Sequence, residues 1–90
     1  MNIEFDKSFY KSLDKINDKT ILKKLPKIFE AIEQAEKIKN ISNIKKISGY
    51  SNYYRVKSGN YRIGIELFYE NTIRFIIISH RKDIYNKFPK

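Results

Sequence analysis

Tyr53–Leu67, YYRVKSGNYRIGIEL, decides the reading of this chain. Side chains alternate faces along a strand. Tyr54 and Val56 therefore fall on one face, with Tyr61, Ile63, Ile65 and Leu67 after the Ser58-Gly59-Asn60 turn. Arg55, Lys57, Arg62, Gly64 and Glu66 fall on the other. This is a β-hairpin with one face suited to a core. Its other face gathers cations around a glycine, and those cations need a reason.

On either side the pattern continues. Thr72–Ser79, TIRFIIIS, is a nearly unbroken apolar strand of the kind buried on both faces. Short turns between three such strands predict an antiparallel meander. Toward the N-terminus, Ile3 and Phe5 alternate in a short strand. Asp6 can cap a helix over 7–16 that places Phe9, Leu13 and Ile16 on one stripe. Asp18 or Thr20 can cap a second helix carrying Ile21, Leu25, Ile28 and Ile32. Pro26 predicts a bend near residues 23–26 or a helix that restarts there. Residues 40–52 read as irregular, with Ile44 and Ile47 covering an edge of the core. The fold class is α+β in the order β-α-α-β-β-β. Two helices pack on one face of a small antiparallel sheet, and a short tail holds one helical turn over 83–88.

Ninety residues make one domain, spanning 1–90, with a small core. Function then belongs on an open face or shallow groove. The absence of cysteine excludes a disulfide framework and thiolate chemistry, and one histidine gives no structural zinc set. No metal or other cofactor is expected. The N-terminus shows no basic run leading into an apolar one, and no apolar run could span a bilayer, so a cytoplasmic protein without a membrane partner is expected. A net charge of +9 favours an anionic partner. Any single lysine is as readily explained as solvated surface. The four arginines, Arg55, Arg62, Arg74 and Arg81, are more telling, because a guanidinium grips phosphate or carboxylate with two parallel bonds.

The element order, the hairpin YYRVKSGNYRIGIEL and the closing ISHRKDIY resemble the RelE/ParE superfamily of type II toxin–antitoxin toxins. The resemblance spans the chain in layout and is sharpest over 53–85. It implies either a RelE-like ribonuclease that cuts mRNA in the ribosomal A site or a ParE-like inhibitor of DNA gyrase. A basic protein- or RNA-binding domain without catalysis is the third reading. The resemblance also implies a cognate antitoxin, with an acidic, partly disordered segment that covers the cations in a hetero-oligomer. By its motifs, Arg55 and Lys57 on the first hairpin strand, Arg62 after the turn, His80 and Arg81 after the last strand, and Tyr85 in the tail are the functional positions.

Metal-independent RNA cleavage suits those residue types. Fixed cations can stabilise the charge that develops on phosphorus. Arg62 and Arg81 are the candidates for this, with Arg55, Lys57 and Lys82 beside them to bind RNA. Lys57 is the candidate base and His80 the candidate acid. Tyr53 or Tyr85 can stack on a base. Structural roles stand against each: His80 as a strand-end cap, Tyr85 as a tail anchor, Glu66 as a neutraliser of Arg62, and Gly64 as room for a bulky neighbour. Arg74 is expected to pair with Glu66 or Glu70.

Overall fold

A computed structural model describes residues 1–69 and 71–89. The elements run β1 (Asn2–Phe5), α1 (Lys7–Leu13), α2 (Lys19–Gln34), a 3₁₀ turn (Ile38–Asn40), β2 (Ile44–Lys46), β3 (Tyr53–Ser58), β4 (Tyr61–Phe68), β5 (Thr72–His80) and α3 (Ile84–Lys87). The strands form one sheet in the order β1-β5-β4-β3-β2. The α+β class and the β3-β4-β5 meander hold. Two features extend the expected sheet. β2 adds antiparallel to β3, and β1 pairs with β5 in parallel, Ile3 beside Ile73 and Phe5 beside Phe75. Among the described residues no helix is long and apolar enough to cross a membrane.

Both long helices start where a carboxylate caps them. Asp18 Oδ1 accepts from Thr20 N–H at 2.9 Å. Asp6 Oδ2 accepts from Ser8 N–H at 3.1 Å and lies 2.6 Å from Ser8 Oγ. α2 runs on through Pro26 without ending. The proline sits on an exposed face, where the hydrogen bond it deletes can be replaced by water.

The helices cover one face of the sheet. Phe5, Phe9, Phe29 and Phe75 meet there with ring centroids 5.0–6.2 Å apart. Ile63, Ile65, Ile73 and Phe75 are wholly buried beside them. α1 also finishes an edge. β1 leaves β5 after Phe75, and Asp6 N–H donates to Phe75 O at 2.9 Å. Beyond that point serine hydroxyls replace the missing strand. Ser8 Oγ is 2.6 Å from Ile76 O, and Ser12 Oγ accepts from Ile78 N–H at 3.0 Å. The one Ser8 proton serves Asp6 and Ile76 in turn.

The Asp6 cap gives a test. The Ser8 hydroxyl, and then the Ser8 backbone N–H, hold the Asp6 carboxyl below its ordinary value. A carboxylate lowered by folding stabilises above its unfolded pKa of about 3.9, and the gain is lost as pH falls through the lower folded value. Asp6→Ala is expected to cost about 0.5–2 kcal/mol at neutral pH. Its gap from wild type in thermal midpoint should close as pH falls below about 4. A gap that is constant from neutral pH to the acid limit would rule out the charged cap.

Candidate functional site

The site is built on the sheet face away from α1 and α2. Cross-strand register defines it in rows: Lys45, Arg55, Gly64 and Ile77 in one, and Lys57, Arg62 and Ser79 in the next. The hairpin therefore splits its faces as its alternation predicts. Its two-residue turn is tight because Gly59 takes φ +57°, a conformation that glycine adopts without strain.

That face is not bare. α3 lies on it through Ile84 and Phe88, both buried. The expectation of a sheet covered on one side only is corrected here. The physical reason is Gly64. A Cβ at that position would stand 2.7 Å from the Phe88 ring and 2.9 Å from Ile77 Cγ2. The missing side chain is the seat of Phe88, as the bulky-neighbour explanation requires. Tyr53 flanks the same ring at 5.3 Å, and Tyr50 stands 5.4 Å from Tyr53, so Tyr53 forms a wall for the tail. Gly64→Ala is expected to lift α3 at a cost of about 1–3 kcal/mol. Trypsin should then cut at Lys82 and Lys87 faster than in wild type. Unchanged cleavage and an unchanged thermal midpoint would show that Phe88 does not need the space.

With Ile84 and Phe88 acting as the anchors, Tyr85 is left 73% exposed, and Arg55 lies 5.0 Å from its ring centroid. Between them and β2 runs a groove of about 290 Å³ lined by Lys45, Lys46, Ser48, Arg55, Tyr85 and Phe88. Lys45 was hidden in the sequence, because a three-residue strand in a polar stretch has too few positions to show alternation.

Arg62 is aimed by its own turn. Its Nη1 donates to Gly59 O at 2.9 Å and Tyr61 O at 3.0 Å. Those bonds use both Nη1 hydrogens and leave the other guanidinium N–H groups unengaged among the described residues. Arg81 is exposed, and its N–H donates to Asn60 O at 2.7 Å, so the backbone of Arg81 lies against the hairpin tip beside Arg62. Lys82, also exposed, follows it.

His80 lies elsewhere. Counted straight from Arg74, it should share the cationic face. A bulge intervenes: Ile65 pairs with Phe75 but Gly64 with Ile77, which leaves Ile76 without a partner on β4. The extra residue flips the parity. His80 therefore pairs with Tyr61 on the helix-packed side, their rings 5.6 Å apart. Its Nδ1 accepts from Lys82 N–H at 3.2 Å. On that face His80 stands away from Arg62, at the turn that ends β5.

Glu66 is also accounted for. Arg74 sits 3.7 Å from Glu66 and 3.6 Å from Glu4, over the Phe68 ring at 4.1 Å, and Asn52 Nδ2 donates to Glu66 at 3.0 Å. The expected Arg74–Glu66 pair is present; Glu70 lies outside the described residues. The acids of this face thus gather at the Arg74 end. The other end keeps Lys45, Arg55, Lys57 and Arg62 without a carboxylate among their cross-strand partners.

Comparison with known proteins agrees with this fold. The sequence profile of the family described as "ParE toxin of type II toxin-antitoxin system, parDE" matches residues 3–85. Toxin RelE3 of Methanocaldococcus jannaschii is 42% identical, over 99% of this chain and 100% of its own length. The toxin in the crystal structure of a RelB–RelE antitoxin–toxin complex from Methanococcus jannaschii is also 42% identical. It superposes with a TM-score of 0.79, covering 96% of this chain and 99% of that one. A RelE–RelB complex from Pyrococcus horikoshii OT3 shares the fold at 16% identity, with a TM-score of 0.70 and coverage of 92% and 97%.

Proposed function

The chain belongs to the ParE toxin family of type II toxin–antitoxin systems, and from that premise we propose that it is a RelE-like endoribonuclease acting on mRNA in the ribosomal A site. The observation that supports this reading is the convergence at the hairpin tip. Arg62 is held by its own turn, Lys57 is its cross-strand partner, and the Arg81 backbone is bonded to Asn60.

In this reading the RNA 2′-oxygen attacks the adjacent phosphorus. Lys57, in its free-amine form, takes the 2′-hydroxyl proton and becomes the ammonium. The unengaged N–H groups of Arg62, with Arg81 beside them, stabilise the negative charge on the phosphorane oxygens. The 5′-oxygen departs and takes a proton from solvent, leaving a 2′,3′-cyclic phosphate and a 5′-hydroxyl end. Tyr85 stacks on a neighbouring base, and Arg55, Lys45 and Lys82 hold flanking phosphates. By likeness to the RelB–RelE complex, the partner that silences the protein is an antitoxin, with acidic groups that suit this end of the sheet.

The test is expression without antitoxin, with mRNA 5′ ends mapped for wild type, Arg62→Ala and Arg81→Ala. New ends confined to translated regions, present in wild type and absent in both variants, are the expected result. Intact messages with DNA-damage signalling would overturn the reading in favour of gyrase.

A further inference from the structure

The cations are not confined to the open face. At the edge of β5, between α1 on one side of the sheet and α3 on the other, lies a cleft of about 480 Å³. Lys11 reaches it from the last turn of α1, Lys15 from just beyond that helix and Lys87 from α3. Tyr61 and His80 form its sheet wall, and Asp83 is the one acid lining it. Three ammonium groups against one carboxylate make a site for an anion. The Tyr61–His80 pair adds aromatic surface on which a base can stack.

Two links tie this cleft to the proposed nuclease face. Tyr61 and His80 are the immediate chain neighbours of Arg62 and Arg81, turned to the other side of the sheet by strand alternation and by the bulge at Ile76. Arg81 and Lys82 occupy the turn between the two sides. The basic surface is therefore continuous around the end of the sheet. Lysines suit the far side, because they act as point charges on a phosphate chain and need no fixed geometry.

We propose that a single-stranded RNA crosses the open face at Arg55 and Arg62, turns over Arg81, and lays its further phosphates in the cleft of Lys11, Lys15 and Lys87. This path rests on the ribonuclease reading, but its test measures binding rather than cleavage. The probes are 2′-O-methyl oligoribonucleotides, which lack the attacking hydroxyl, of about four and about twelve nucleotides, within the span of known single-strand site sizes. Fluorescence anisotropy is measured over a range of salt for wild type, for Lys11→Gln/Lys15→Gln, and for Lys23→Gln/Lys27→Gln on the exposed side of α2 as a control of equal charge change.

The cleft variant is expected to lose roughly tenfold in affinity for the long probe at low salt, with its salt slope reduced by about 1.4. It should bind the short probe as wild type does, and the control should hold both. Equal losses in the cleft variant and the control, or equal losses for both probes, overturn the path while leaving the open face in place. So does stronger competition by polyglutamate than by RNA at the cleft, which would assign it to an acidic protein segment. Failure of wild type to bind either probe overturns the path, while the ribonuclease reading is judged separately by the mapped mRNA ends.

Discussion

Phe75→Ala is expected to cost about 3–5 kcal/mol, the usual toll of emptying a buried aromatic site. A chain of this length holds roughly 5–13 kcal/mol in all, so the variant should be marginal or unfolded at physiological temperature. Phe75 is chosen because it joins three parts of the structure. It pairs with β1 in parallel register, meets Ile65 across β4, and its ring touches those of Phe5, Phe9 and Phe29, drawn from β1, α1 and α2. The cavity left behind cannot close by moving one element alone. Urea unfolding followed by circular dichroism measures the loss. A change below about 1 kcal/mol would mean that the aromatic cluster repacks, contrary to the rigidity expected of close-packed interiors.

Arg62→Ala is the second. If Arg62 stabilises charge on phosphorus, its removal should slow cleavage on translating ribosomes by about 10²–10³-fold, the range seen when one preorganised donor is removed. The thermal midpoint should barely move, since among the described residues the guanidinium bonds only to carbonyls of its own turn. Arg62→Lys separates charge from geometry. An ammonium keeps the charge but lacks the fork that the Gly59 and Tyr61 carbonyls aim, so most of the loss should remain. A folded Arg62→Ala protein that cleaves at the wild-type rate would remove Arg62 from the chemistry.

The parts of this molecule that sequence revealed are those with a period. Alternation across Tyr53–Leu67 assigned both faces of the hairpin, and the caps Asp6 and Asp18 lie where carboxylates precede apolar stripes. The site was legible to the same extent, for Arg55, Lys57 and Arg62 are set by that alternation. What escaped had no period to read. β2 is three residues long, and its contribution, Lys45, looks like any surface lysine. The parallel pairing of β1 joins the two ends of the chain, and nothing local encodes it. The misplacement of His80 is the most instructive. The bulge falls inside the run Phe75-Ile76-Ile77-Ile78, where every residue is apolar, so the slip in parity leaves no trace in the pattern. Ile77, Ile78, Ser79 and His80 all change sides, but only the last two are polar enough for the change to matter to the site.

The serine hydroxyls on β5 also bear on how this protein behaves in a crowd. β5, at nine residues, is the longest strand. An exposed edge along its second half would be an adhesive surface for any extended polypeptide. Ser8 and Ser12 close it with groups that satisfy one strand and offer nothing to another. The outermost strands are instead β1, with four residues, and β2, with three. A strand joining at either end gains few ladder bonds before it runs out of template. The protein can therefore keep the charged, uncovered part of its sheet face for function without also presenting a long edge on which copies of itself could accumulate as fibrils.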